Sequence, residues 1–151
     1  MTEQKKIYQT RQPGLLIILL TVAEVGFCLT MGFLTRAFVP FAAMGALFSL
    51  VGLLFYQLTV RVDAEAVTCI FGVGVITKRL RIRDIMRVKE VKNPWYYGFG
   101  IRKVPGGWMY NISGKGAVEF TLKEGGIFRA GTPDPQGLVS QIEARLKERA
   151  P

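Results

Sequence analysis

The sequence predicts an α+β membrane protein: a two-helix transmembrane hairpin followed by a small antiparallel β-barrel or sandwich, capped by a C-terminal helix. Three observations carry this expectation. Residues 14–35 and 37–58 are apolar runs parted by Arg36, each about the 20 residues a helix needs to cross a hydrocarbon core. After Leu58 the pattern changes to short alternating segments punctuated by glycine and proline, the mark of strands and turns. The chain then closes on a stripe of helical period. The expected divisions are an arm over 1–13, the hairpin over 14–58 and the sheet domain over 59–151.

The opening segment is polar and carries Lys5, Lys6 and Arg11, which predicts a short flexible arm at a membrane surface, with the N-terminus in the cytoplasm. Only Arg36 is basic in the inter-helix turn, whereas the C-terminal domain is rich in Lys and Arg, so both termini are expected inside. The first run holds Glu24, is long for the apolar region of a cleaved signal peptide and meets no small-residue cleavage site. It is expected to stay. Pro40 suits the first turn of the second helix, where its missing N–H costs nothing. Ala42, Gly45, Ser49 and Gly52 on the second helix, and Ala23, Gly26 and Thr30 on the first, are spaced to let backbones approach closely. Glu24 falls near mid-span at the level of Ser49, where a neutral carboxyl bonded to that hydroxyl or to a carbonyl oxygen satisfies both groups.

Strands are expected over 59–62, 66–71, 75–82, 85–91, 99–104, 108–113, 117–123 and 127–130, joined by glycine-bearing turns in a meander. Val118, Phe120 and Leu122 alternate with Glu119, Thr121 and Lys123, which predicts one buried and one wet face. The closing helix starts near Thr132-Pro133-Asp134-Pro135, where a capping side chain meets a first-turn proline. Leu138, Val139, Ile142 and Leu146 form its inward stripe. Arg145, Lys147 and Arg149 sit late in it, where the helix dipole favours cations. Strands and helix together read as a complete amphipathic set able to fold alone from about Arg61.

The chain carries 20 Lys and Arg against 11 Asp and Glu, a net charge of +9, and no histidine. A basic domain held at a bilayer meets anionic lipid before nucleic acid, and no nucleic-acid partner is expected. Without histidine, without cysteine pairs at zinc spacing and with Asp84 and Glu90 set among cations, no catalytic cluster and no cofactor site is expected. Cys28 and Cys69 lie in a span and a strand, too far apart in depth to bridge. Gly72-Val73-Gly74 joins strands rather than opening a helix, so it forms no phosphate loop.

The stretches Asn93-Pro94-Trp95-Tyr96-Tyr97-Gly98-Phe99-Gly100-Ile101-Arg102, Gly107-Trp108-Met109-Tyr110-Asn111-Ile112-Ser113-Gly114 and Phe128-Arg129-Ala130-Gly131-Thr132 resemble the small bacterial pleckstrin-homology-like domains that follow a pair of membrane helices. The resemblance covers 59–146 and implies a PH-like fold at the cytoplasmic face of a bacterial inner membrane. The phosphoinositide site of the eukaryotic members needs a basic pattern in the first hairpin loop. Gly72-Val73-Gly74 lacks it.

Three candidate sites follow. Trp95, Tyr96, Tyr97 and Phe99 place much apolar surface in one loop, which either touches the headgroup region or folds over the end of the sheet. Arg79, Arg81 and Arg83 share one strand face, and with Arg87 and Lys89 on the next strand they form a basic patch if the two strands pair, or else a solvated face with Asp84 and Glu90 as partners. Glu24 with Ser49 is the intramembrane polar candidate. The function expected is a membrane-anchored binding or scaffold module offering the basic face and aromatic loop to a protein partner or anionic lipid. The alternative is a subunit of a small homo-oligomeric assembly that handles protons or ions through Glu24.

Overall fold

The computed structural model describes residues 7–148, and its first element is a strand. β1 (Tyr8–Pro13) pairs antiparallel with β2 (Gln57–Val62), from Tyr8 opposite Val62 to Pro13 opposite Gln57. This corrects the expectation of a flexible arm for that part of 1–13. Lys5, Lys6 and the tail's Arg149 lie outside the described residues. The inward positions of β1 are Tyr8, Thr10 and Gln12, and all three are polar. Their partners explain why they point inward. Tyr8 Oη donates to Asp134 Oδ2 at 2.7 Å, and Thr132 Oγ1 donates to Thr10 Oγ1 at 3.3 Å. Gln12 Nε2 donates to the Ser113 carbonyl oxygen while its Oε1 accepts from the Ile112 N–H.

The helical hairpin is inserted between these two paired strands. α1 (Leu15–Thr35) and α2 (Phe38–Phe55) are joined through Arg36, whose positive φ of 56° closes the turn. At the base, the Gly14 N–H donates to the Tyr56 carbonyl oxygen at 2.8 Å. Both helices are long and apolar enough to cross a membrane, and very little of either is buried inside the chain. Their apolar surface is therefore not the core of this protein, which fits membrane association.

Small residues make the seam between the helices, through Gly45 and Gly52 of the stripe expected on α2, whose Ala42 is exposed, but not through the stripe expected on α1. Gly45 sits against Cys28 and Gly52 against Thr21, where an added Cβ would come within 2.7 Å of Thr21 Oγ1. On α1 the buried residues are Cys28 and Gly32, while Ala23, Gly26 and Thr30 face outward. The helix turns that second stripe away because its phase is set by the contacts of Thr21 and Cys28, about two turns apart on one face.

After β2 come β3 (Ala66–Phe71) and β4 (Ile76–Arg81), completing a sheet of order β1-β2-β3-β4. β5 (Ile85–Lys92), β6 (Gly100–Val104), β7 (Gly107–Asn111), β8 (Gly116–Leu122) and β9 (Ile127–Gly131) form the second, of order β5-β8-β9-β7-β6. The strands expected from the sequence are all present within a few residues, but their connection is not a simple meander and no barrel closes. β7 and β9 run parallel, and β4 and β5 belong to different sheets. A 3-10 turn over Ile82–Asp84 carries the chain from one sheet to the other.

The core lies between the sheets, with Leu58, Val60, Val62, Cys69 and Phe71 from the first meeting Val118, Phe120, Phe128 and Ala130 from the second. α3 (Pro135–Lys147) seals it with Leu138 and Ile142, both fully buried. Its Asp134 cap accepts from the Gly137 N–H at 2.9 Å, as the sequence indicates. Arg145 lies in the last turn of the helix, as expected, and is buried there. The set is not complete from Arg61 onward: β1 and most of β2 would be missing, and Tyr8, Thr10 and Gln12 tie the first sheet to the cap of α3 and to the segments that follow β9 and β7.

Candidate functional site

The direction of β4 decides where the arginines lie. The hairpin leaves the first sheet at Pro13 and Gln57, and the Phe71 ring packs edge-on to Phe55 of α2 with centroids 5.3 Å apart. Gly72 continues this close approach: its φ is +48°, and a Cβ there would strike the Leu53 and Leu54 carbonyls. Ile76 is paired with Phe71, whereas Arg81 is paired with Ala66 at the opposite end. β4 thus runs away from the hairpin, and at about 3.3 Å per residue Arg81 stands about 16 Å further out than Ile76.

Arg79, Arg81 and Arg83 come together there. With Glu65 they line an open pocket of about 430 Å³. Leu80 and Ile82 turn into the core, as the alternation predicts, while Arg83 projects from the 3-10 turn rather than from the strand. Asp63 fixes the turn that carries Glu65 by accepting from the N–H groups of Glu65 and Ala66 at 2.7 and 2.8 Å. Burial pushes the Asp63 carboxyl up, but those two N–H groups, then Arg79 and Arg145, outweigh it and hold its pKa below the ordinary value. Glu65 reaches Arg79 at 3.7 Å and Asp84 reaches Arg83 at 3.8 Å, both between exposed side chains. Such pairs are worth little. Three guanidinium groups against one lining carboxylate leave a site suited to a phosphate or carboxylate.

Arg87 and Lys89 do not join this patch, because β5 pairs with β8 and not with β4. Lys89 is committed elsewhere: its Nζ lies 2.9 Å from Glu119 Oε1, and Arg129 Nε lies 2.7 Å from Glu119 Oε2. Glu119, expected on a wet face, is buried. Burial pushes its pKa up, yet the hydrogen bonds from Lys89 and Arg129 prevail and lower it.

That ion triad anchors the aromatic loop. Arg129 Nη1 donates to Asn93 Oδ1 at 3.4 Å, and its guanidinium lies 5.8 Å from the centre of the Tyr97 ring. Trp95–Tyr97 forms a 3-10 turn closed by the Tyr97 and Gly98 N–H groups, so the loop is compact. It divides its rings. Tyr97 folds back onto Arg129, while Trp95 and Tyr96 project, 81% and 68% exposed and edge-to-face with one another at 6.1 Å. Phe99 turns toward the hairpin instead, lining a groove with Ile101 and Arg102 on one side and residues of α1 and α2 on the other. The sequence did not single out Arg129, Glu65 or Arg102. Outward positions on β8 and β9 bearing opposite charges were the available signal for Arg129, but only the pairing of Glu119 with Arg129 makes it readable.

Glu24 does lie at the level of Ser49, since Thr21 meets Gly52 and Cys28 meets Gly45. Its hydrogen bond goes elsewhere: Cys28 Sγ donates to Glu24 Oε1 at 2.9 Å, and no bond joins Glu24 to Ser49 among the described residues. A thiol one turn along the same helix is nearer than a hydroxyl across the seam. Cys69 is fully buried, and burial pushes its thiol up to about 12, so it stays protonated.

No protein-family model matches this chain, and no curated protein matches its sequence.

Proposed function

We propose that the chain is a bilayer-anchored binding module, with the hairpin crossing a bacterial inner membrane, both termini cytoplasmic, and the arginine pocket offered to an anionic group on a protein partner. The observation that carries this reading is the placement of the Arg79, Arg81 and Arg83 pocket at the end of the first sheet away from the hairpin. About 16 Å of strand is about two Debye lengths at physiological salt, so attraction to the chain's own bilayer is largely screened there. A PH-like reading of the domain is supported by two sheets facing across one core with the C-terminal helix sealing it. The hairpin continues into β1 and β2 without a linker, so the pocket is held at a fixed height above the membrane rather than on a tether. A module that positions a partner benefits from such stiffness. The proton-handling alternative has weaker support, because the groove that Glu24 lines is mostly apolar.

The experiment is photocrosslinking in native membranes from a photoreactive residue replacing Arg83, in the parent and with Arg79 and Arg81 changed to Ser. A discrete protein adduct lost in the double variant is expected. Adducts to lipid alone, or equal protein adducts from both, would sink the reading.

A further inference from the structure

A groove of about 720 Å³ separates the hairpin from the edge of the second sheet, walled by Ile17, Leu20, Phe48 and Phe55 on one side and by Phe99 and Arg102 on the other. Its volume falls within the range of about 300–1,000 Å³ typical of ligand sites. We propose that it seats one acyl chain of an anionic bilayer phospholipid, with the lipid's phosphate on Arg102. This rests on the reading that the hairpin spans a membrane.

Four observations favour that occupant. The walls given by α1 and α2 continue directly into the exposed apolar surface of the same helices, so an acyl chain enters sideways without leaving hydrocarbon. The depth fits one leaflet. Glu24 lines the groove and lies nine residues after Leu15, about 14 Å at about 1.5 Å per residue, against a hydrocarbon half-thickness of about 15 Å. At the sheet side, Arg102 is exposed, donates through Nε to the Phe99 carbonyl oxygen at 3.1 Å and makes no ion pair among the described residues. That bond fixes the guanidinium and leaves its terminal nitrogens as phosphate donors. Finally, β6 is the edge of its sheet. Gly100 and Ile101 of this edge strand line the groove, where a polar headgroup satisfies edge backbone that hydrocarbon would not.

The test uses the full chain in phosphatidylcholine nanodiscs doped with phosphatidylglycerol or phosphatidylcholine bearing a diazirine on the acyl chain, with adducts mapped by mass spectrometry. Adducts should concentrate on the segments holding Ile17 to Glu24 and Phe99 to Arg102, with phosphatidylglycerol favoured. Arg102→Gln should remove about fivefold of that preference and leave the fold intact, being an exposed position. Leu20→Trp fills the groove with another apolar side chain and should lower adducts on Phe99 to Arg102 while leaving those around Leu29 and Phe33 unchanged. Labelling spread in proportion to exposed surface, indifference to both variants, or adducts joining Phe99 to Arg102 of one chain to a second copy would overturn the proposal. A chain that alkaline carbonate extracts from the bilayer would overturn the membrane reading as well, whereas an inserted chain with even labelling fails on the groove alone.

Discussion

Replacing Gln12 by Ala tests the least expected element, the strand made by the N-terminal segment. Gln12 is only 4% exposed. Its amide satisfies two main-chain groups in the turn that follows β7 of the other sheet, the Ser113 carbonyl and the Ile112 N–H. The alanine variant keeps β1 paired with β2 but leaves both groups without that partner, at a cost of about 1–3 kcal/mol each. The expected loss is about 3 kcal/mol, toward the lower part of the summed range, because water that enters the space relieves some of the penalty. For a sheet domain of this size about 4–8 °C is lost per kcal/mol, so the thermal midpoint of the detergent-solubilised full chain should fall by about 12 °C or more. Gln9→Ala is the control: Gln9 is exposed on the opposite face of the same strand and should cost no more than about 0.5 kcal/mol. Tryptophan fluorescence on heating reads both. If Gln12→Ala melts within about 2 °C of the parent, β1 does not join the two sheets as described and the argument for a domain built around the hairpin fails.

Glu119→Ala leaves Arg129 and Lys89 without their shared carboxylate, and breaking a buried pair from one side costs about 3–5 kcal/mol. A smaller loss is expected here because Lys89 is half exposed, and faster proteolysis at the loop holding Trp95 and Tyr96 should accompany it. Stability should fall at both pH extremes. Asp63, Glu119 and Asp134 are held below their ordinary values of 3.8, 4.5 and 3.8, so their contribution is present above about pH 5 and lost as pH drops through the depressed values. Tyr8, raised from 10.0 to about 12 by burial and by its bond to Asp134, contributes below pH 10 and ceases to as pH climbs toward 12; a midpoint still constant down to about pH 3 would contradict these pairings. Glu24→Gln should preserve abundance and assembly in membranes, whereas Glu24→Lys should reduce both; loss of biological activity in a well-assembled Gln variant would favour the proton-handling alternative.

The sequence by itself determined the elements other than β1. The apolar runs are as long as a bilayer is thick, the strands alternate, and Asp134 with Pro135 marks the start of the last helix, because each of these is a local property of neighbouring side chains. Where a face was uniformly apolar, as at Leu138 and Ile142 or at Leu80 and Ile82, its burial was legible too. Only the tertiary structure decided which elements meet. β1 was hidden because its inward residues, Tyr8, Thr10 and Gln12, are polar, and nothing local shows that their partners stand a hundred residues or more away. One patch of Arg79, Arg81, Arg83, Arg87 and Lys89 required consecutive strands to pair, whereas the crossing at Ile82–Asp84 sends β4 and β5 to different sheets. Glu119 looked solvated because alternation gives the side of a strand and not what covers it, and its cover is Lys89, Arg129 and the loop they anchor. Charge and period are written along the chain, but the partner that makes a polar side chain cheap to bury is fixed only when distant segments are brought into register.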